Sequence, residues 1–553
     1  MMRNVFLAAV AALQLTAVHA QESEGGLPWS VRLRLAQDVP VVATAGIDRA
    51  AVDLEDAVRA AEGRMPADAR RLPVDADLAT SGSWYTLPNG DGIWRLRVES
   101  PGALSTELFF QGLHLPPGGA LYVYHPAGEV ILGAYTGYHN KEQGVFATDA
   151  ITGDACVVEY YEPAAQRGAG SFIIAALGHR YRHLRGGARA GDCQVDVNCS
   201  EGTNWTEQRD AAVRLRVVED GVLGFCSGSL VNNTAQDCRR FLLTALHCAV
   251  GASTADFAEW KFYFGYQRPG CETGTASLSR VRTGCVKRAT SNDGGGNNGS
   301  DFLLVEIDDE ITPSWNPYWM GWDATTTTHS GGVCVHHPAG DEKKISTFTV
   351  NAANSSAWNG MSTHYRVTWV GTANGWGVTE GGSSGSPLIN NSGRVIGTLT
   401  GGASFCNSEQ PGGQTQPDYY GRVNYHWISN GTPSNERLKT FLDPNNTGML
   451  VMDGTYGPCS AASVVEYRTL ERPLLAPNPA TADLRITFPT GIQRVERVEL
   501  LDITGQLVMS AGVAAVATTT TVNVEGLAAG AYFVRLLADG GYLPAVPFQV
   551  MQR

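Results

Sequence analysis

The sequence predicts a mainly β chain of several domains, and three observations carry that reading. At 553 residues it exceeds what a single core organises, since one domain commonly takes roughly 100–200 residues. Gly numbers 64 and charged residues make up only 17% of the chain, which suits loop-rich β-structure better than helical bundles. From Ser83 onward, short alternating segments recur between Gly, Pro and Asn turns, the pattern of paired strands.

Residues 1–20 read as an export signal: Arg3 gives the positive start, Val5 to Val18 the apolar run, and Val18-His19-Ala20 the cleavage site. That run is too short to span a bilayer, and no other segment approaches 18 unbroken apolar residues. An exported chain makes its eleven cysteines candidates for disulfides rather than metal ligands. The formal net charge of −13 argues against a nucleic-acid partner, which would need a basic face to displace counterions. Only six of the 41 basic residues are Lys, a bias for which codon composition is the plainest cause.

Residues 21 to about 80 are rich in Ala, Asp and Arg with some helical periodicity, and carry no nameable chemistry. Trp84-Tyr85, Ile93 to Val98, Leu108-Phe109-Phe110 and Leu121 to Tyr124 then read as strands of a β-sandwich of about 80 residues ending near Pro163. An Arg- and Gly-rich stretch between Leu184 and Gly191 has the composition of an exposed linker open to nicking. Ten cysteines between Cys193 and Cys459 bracket one stapled domain. From Pro473 the composition shifts to a cysteine-free stretch of about 80 residues, with strands at Arg497–Leu501 and Tyr532–Leu536, read as a small all-β sandwich. The expected boundaries are 1–20, 21–190, 191–460, a linker at 461–475, and 476–553.

The chemistry sits in three segments of the stapled domain. Thr-Ala-Leu-His-Cys ends at Cys248, Gly-Ser-Asp-Phe-Leu-Leu surrounds Asp301, and Gly-Gly-Ser-Ser-Gly-Ser-Pro ends at Pro387. They place His247, Asp301 and Ser384 in the chain order of the two-barrel version of the Ser-His-Asp hydrolase design. A hydroxyl nucleophile needs a base, and the base needs a carboxylate to hold its tautomer. Ser384 sits between Gly382-Ser383 and Gly385, a setting that turns backbone N–H groups toward a substrate, so the oxyanion donors are assigned to Gly382 and Ser384. Ser383 and Ser386 are rival nucleophiles that would break the Gly385–Pro387 pattern. Asp293, Asp308 and Asp309 rival Asp301 but fall in a Gly/Asn loop or a solvated turn. His336-His337-Pro338 lacks a carboxylate at zinc-ligand spacing and is read as structural, with no metal or cofactor expected.

Beyond these segments, residues 191 to about 455 resemble the bacterial lysyl endopeptidases, trypsin-like serine proteases of the chymotrypsin double-barrel fold. The resemblance is carried by 193–199 (CQVDVNC), 228–234 (GSLVNNT), the three catalytic segments, His336-His337-Pro338, 377–387 and Asp418 to Val423. It implies a Ser-His-Asp acyl-enzyme mechanism on protein or peptide substrates and the disulfides Cys193–Cys406, Cys199–Cys271 and Cys226–Cys248. By elimination, Cys285–Cys334 and Cys238–Cys459 are expected as the remaining pairs. It also implies that Asp418 anchors a basic side chain, because Val378 stands where trypsin-like enzymes usually carry that Asp. Trp358 matches a family Trp near the active site. Thr400 stands where the family has a His, a departure that leads to the expectation of cleavage after Lys with Arg tolerated. Ser383 replaces the Asp that pairs with a freed N-terminus in pancreatic-type proteases, so activation is expected from removal of the region 21–190, which resembles the family's propeptides.

The tail resembles the sorting domain of the type IX secretion system, through Ala-Pro-Asn-Pro-Ala (476–480), Leu-Leu-Asp-Ile-Thr-Gly (500–505) and Leu-Ala-Ala-Gly-Ala-Tyr-Phe-Val (527–534). It implies contact with the secretion machinery, export across an outer membrane, and either release or surface attachment. The expected product is a monomeric secreted endopeptidase. Two alternatives stand beside it: a catalytically silent, adhesin-like binder, and a serine hydrolase of non-basic preference.

Overall fold

The computed structural model describes residues 23–551 apart from 37, 184–189, 408–411, 458–472, 489–494, 504–505, 515–516, 539–540 and 543–544. The signal segment, the centre of the Arg-rich linker and Cys459 therefore lie outside the described residues. The chain divides into two compact units, Met1–Cys459 and Ser460–Arg553.

In the first unit, the strands between 212 and 307 close a six-strand barrel. Ala212–Glu219 pairs with Val222–Leu230 and with Lys261–Phe264, and Lys261–Phe264 pairs with Val281–Thr283. That strand runs on past Gly284 as Cys285–Thr290, which pairs with Leu303–Ile307; Phe241–Thr244 then joins Leu303–Ile307 to Val222–Leu230 and completes the ring. A second six-strand barrel repeats the plan. Ser330–His336 lies between Lys344–Asn351 and Pro387–Asn390, followed in order by Val395–Gly402, Asp418–Arg422 and His364–Val367. Ala353–Ser355 continues the second strand beyond Ala352 and pairs with His364–Val367, closing the ring. Closure removes sheet edges, and the inward positions fill each barrel with side chains. Val213, Leu215, Leu242, Trp260, Phe262 and Leu303 are buried in the first barrel, and Val367, Trp369, Leu388, Leu399 and Tyr420 in the second.

The region before residue 184 is a sandwich larger than the sequence suggests. One sheet runs Val41–Ala43, Gly92–Glu99, Ala155–Glu162, Ala120–Tyr124 and Ile131–Tyr135. The facing sheet centres on Ser171–Arg180 between Ala67–Asp77 and Ser105–His114, and Trp94, Phe110, Tyr135, Tyr160 and Ile174 are buried between the layers. The sandwich extends on both sides of the expected 83–163. Ala67–Asp77 is hidden in sequence because two of its charges are inside, not out: Asp68 is fully buried and Arg70 only 8% exposed. This same strand pairs with Val222–Leu230 of the first barrel, so the N-terminal region and the barrel share a sheet. Arg49–Ala61 is a helix capped by Asp48, whose side chain accepts from the N–H groups of Ala50 and Ala51.

Three disulfides join Cys193 to Cys406, Cys199 to Cys271 and Cys226 to Cys248. The expected Cys285–Cys334 bridge does not form. Cys285 is packed into the first barrel's core and Cys334 into the second's, and both thiols are free and buried. Cys238 is disulfide-bonded, while its expected partner Cys459 lies outside the described residues. No helix among the described residues is long and apolar enough to cross a membrane.

The second unit is a small sandwich. Leu474–Ala476, Asp483–Thr487 and Thr519–Asn523 form one sheet. Val495–Leu501 and Gly530–Ala538 head the other, with Leu507–Gly512 and Val546–Val550 at their sides. Leu484, Ile486, Val498, Val534 and Phe548 are buried between them.

Candidate active site

His247 follows Phe241–Thr244 of the first barrel on a single 3-10 turn, Leu246–Cys248. Its ring Nδ1 lies 2.7 Å from Asp301 Oδ2, and its own backbone N–H donates to Asp301 Oδ1 at 2.8 Å. One carboxylate thus fixes both the ring and the turn that carries it. Asp301 precedes Leu303–Ile307 in a left-handed conformation (φ 67°), which Asp tolerates better than a branched residue would. Burial would lower the His247 imidazole's pKa, but Asp301 outweighs it and holds the ring above its ordinary value. Burial would likewise raise Asp301, and His247 together with backbone N–H groups keeps it below the usual carboxylate range.

Ser384 arrives from the second barrel, just before Pro387–Asn390. Gly385 follows it at φ 79°, and a Cβ there would stand 2.1 Å from Thr244 Oγ1 and 2.6 Å from the Ala245 nitrogen. Only Gly lets this loop press against the strand that presents His247, which is the physical content of the Gly-Ser-Ser-Gly spacing. Ser384 and His247 line one cleft. No hydrogen bond joins Ser384 Oγ to the ring in this geometry; in unliganded sites that contact is often long and tightens with substrate. The N–H groups of Gly382 and Ser384 have no protein acceptor among the described residues.

The rivals are placed elsewhere. Ser383 Oγ is fully buried, 2.7 Å from His336 Nδ1, and Ser386 Oγ is 3.2 Å from Cys334 Sγ. Asp293 is taken up by its own loop, accepting from Ser291 Oγ and the Ser300 N–H. Asp308 lies beside Gly284, and Asp309 pairs with Lys141 at 2.8 Å.

Asp418 opens the strand Asp418–Arg422 and is fully buried. Its Oδ2 accepts from Trp369 Nε1 (2.6 Å), Thr379 Oγ1 (2.8 Å) and Ser404 Oγ (2.6 Å), and Oδ1 from the Ser404 N–H (3.3 Å). Thr379 and Ser404 also line the cleft that holds Ser384. All four donors are neutral, and no cation among the described residues pairs with the carboxylate. Burial therefore wins, raising its pKa in spite of those bonds. Val378, by contrast, is core, packed with Leu399 and Tyr420.

Trp358 and Thr400 line the same cleft. Trp358 Nε1 donates to the Gly296 carbonyl at 3.0 Å, tying a second-barrel loop to the loop before Asp301. Thr400 Oγ1 bonds His364 Nε2 at 2.9 Å, and burial pushes that imidazole down to about 4. The donors to Asp418 and the histidine behind Thr400 went unrecognised in the sequence. They come from strands and loops up to 49 residues apart, and no local pattern marks them.

The N-terminal region supplies the cleft's remaining wall, with Ala60, Gly63, Arg64 and Pro66. The Met65 N–H donates to the His247 carbonyl at 3.3 Å, and Asn297 Nδ2 donates to the Ala61 carbonyl at 3.1 Å. Arg59 and Arg64 close on the buried Glu219 at 2.5 and 2.6 Å.

Residues 187–421 match the family model described as lysyl endopeptidase, C-terminal domain, and residues 475–543 match the secretion system C-terminal sorting domain. A lysyl endopeptidase of Pseudomonas aeruginosa is 28% identical over 438 residues, covering 73% of this chain and 92% of its own. Among solved structures, a thermostable serine protease, AL20, from an extremophilic microorganism is 14% identical, with a TM-score of 0.27 over 39% of this chain and 92% of its own. The protease Anisep of Arthrobacter nicotinovorans is 16% identical, with a TM-score of 0.28 over 38% and 90%. The double barrel follows from the strand pairings of residues 212–307 and 330–422. By its sequence relatives, the chain is a secreted serine endopeptidase, similar over residues 187–421 to the lysyl endopeptidase C-terminal domain and carrying a type IX secretion sorting domain as its tail.

Proposed function

We propose that the enzyme cleaves peptide bonds on the carboxyl side of Lys, with Arg tolerated, through a Ser384 acyl-enzyme. The observation that carries the specificity is Asp418: a fully buried carboxylate with only neutral donors, reached through Thr379 and Ser404 of the cleft. A buried charge without a counter-charge is costly. A substrate ammonium or guanidinium relieves that cost, whereas an uncharged side chain leaves it standing.

In the reaction this supports, Ser384 Oγ attacks the scissile carbonyl while His247 Nε2 takes its proton, and Asp301 holds Nδ1–H and steadies the imidazolium. The N–H groups of Gly382 and Ser384 receive the oxyanion. Collapse breaks the C–N bond as His247 returns the proton to the leaving amine. Water, deprotonated by the same ring, then releases the acyl group. Trp358 and Thr400 border the substrate.

We read residues 21–190 as a propeptide, 191–460 as the protease, 461–475 as a linker and 476–553 as the sorting domain, in a chain that acts as a monomer. The wall formed by Ala60 to Pro66 supports a zymogen that opens when the N-terminal region leaves. Kinetics of Asp418→Ser on matched Lys, Arg and neutral substrates test the anchor. Unchanged activity on basic substrates would remove it, and an Arg/Lys ratio near zero in the parent enzyme would remove the tolerance of Arg.

A further inference from the structure

The oxyanion loop, 380–384, lies against the His336–Gly340 segment and is tied to it at three points. The Ala339 N–H donates to the Gly381 carbonyl at 2.6 Å. The His337 N–H donates to Ser227 Oγ, whose hydroxyl donates to the Gly382 carbonyl, both at 2.9 Å. Ser383 Oγ lies 2.7 Å from His336 Nδ1, and His336 Nε2 lies 3.0 Å from Ser346 Oγ. His336, Ser346 and Ser383 are all fully buried.

These ties act on the direction of the N–H groups. A trans peptide points its C=O and N–H to opposite sides. With the Gly381 carbonyl held by Ala339, the N–H of Gly382 must face the other way. With the Gly382 carbonyl held by Ser227, the Ser383 N–H turns inward, where it meets the Glu380 carbonyl at 2.9 Å. A Cβ on Gly382 (φ 97°) would lie 2.7 Å from the Gly340 nitrogen, so the loop lies directly on this bed with no space for a side chain between them.

The His336 bond pattern is self-consistent for a neutral ring. The Glu380 N–H donates to Ser383 Oγ at 3.1 Å, which leaves the Ser383 hydroxyl hydrogen for Nδ1, and the Nε2–H then goes to Ser346 Oγ. Burial, with Lys344 adding to it, pushes the imidazole down to about 3, so the ring stays uncharged at working pH.

We propose that His336 is a positioning residue for the oxyanion loop: by bridging Ser346 to Ser383 it keeps the Gly382 and Ser384 N–H groups turned toward the cleft. This rests on the assignment of those two groups as the oxyanion donors. It gives the His-His-Pro motif a function that metal-ligand spacing could not supply, and it explains how Ser383 serves where an ion pair cannot form.

The test uses the processed enzyme matured from the full-length chain and its Ser383→Ala, His336→Phe and His336→Asn variants; Asn keeps a polar atom near the place of Nδ1. Loss of a whole oxyanion donor costs about 10²–10³ in kcat, so loss of a brace should cost roughly 10–100-fold with KM within about twofold. A peptidyl aldehyde, which needs the oxyanion donors, should lose affinity by the same factor. A simple alkylammonium competitor should bind as in the parent, and His336→Asn should recover most of kcat. Wild-type kcat in Ser383→Ala would overturn the proposal. So would a parallel loss of kcat, alkylammonium binding and melting temperature, in Ser383→Ala or, if that variant does not fold, in His336→Asn. Fluorophosphonate labelling of the parent separates the two readings: no adduct on Ser384 defeats the mechanism itself, whereas an adduct with unaffected variants defeats only the brace.

Discussion

Two buried carboxylates, one on the N-terminal sandwich and one in the second barrel, have opposite surroundings. Glu107 lies between the sandwich and the first barrel, with Arg216 at 2.5 Å and Lys261 at 2.7 Å. Burial works against its charge, but the two cations prevail and hold its pKa down at about 2. Asp418 is as deeply buried, receives only neutral donors, and has its pKa raised. The first is a closed ion pair whose partners are already in the fold. The second is left short of one positive charge, the condition expected of a site completed by its substrate. Burial of a carboxylate alone does not distinguish architecture from function; the charge of its partners does.

The largest expected effect lies at a third buried carboxylate, Asp301, whose partner His247 is the proposed general base. Asp301→Asn should lower kcat by about 10⁴-fold by upsetting the His247 tautomer. Because His247 must be neutral to accept the proton and its pKa is raised, kcat/KM of the parent should fall with acid through a midpoint above the ordinary His value. Removing the Asp301 charge should shift that limb to lower pH, and a pH–rate profile of both enzymes checks the sign. Next, Asp418→Ser should cost roughly 10³-fold in kcat/KM on Lys substrates while leaving neutral ones within a few-fold.

Glu107→Gln should leave kcat of the processed enzyme unchanged and weaken the N-terminal region's hold on the barrel by about 3–5 kcal/mol, since it takes the paired carboxylate from the buried Lys261 and one of two from Arg216, which keeps Asp68. Denaturant unfolding of the unprocessed Ser384→Ala chain reads this. The same pair sets an acid window. Glu107's folded pKa lies below its unfolded one, so its stabilisation is present above about pH 4.3 and is lost as pH falls toward about 2. The smallest effect is expected at Arg64→Ala, which removes one of two cations from Glu219 and should loosen the cleft wall by about 1 kcal/mol, seen as faster processing.

The catalytic segments were legible because each is local: a few consecutive residues set the turn, the glycine and the nucleophile. The double barrel was legible through the order of those segments and the family resemblance, since a strand such as Leu303–Ile307 is buried along its whole length and shows no alternation. The strand Ala67–Asp77 was not, because its Asp68 and Arg70 are partnered across the fold and a buried charge looks like a surface charge in sequence. Cys285 and Cys334 were paired by arithmetic, though each fills its own barrel's core as a small hydrophobe. Asp418 was found by resemblance alone. Its donors, Trp369, Thr379 and Ser404, meet only after the second barrel closes.

The central claim is that Asp418 awaits a substrate cation. It is met most directly by the parent enzyme's kcat/KM on two otherwise identical peptide amides, one with Lys and one with norleucine before the scissile bond. The expected result is a preference for Lys of at least about 10³-fold, worth about 4 kcal/mol, against a side chain of nearly the same shape without the ammonium. Equal rates on the two would contradict it.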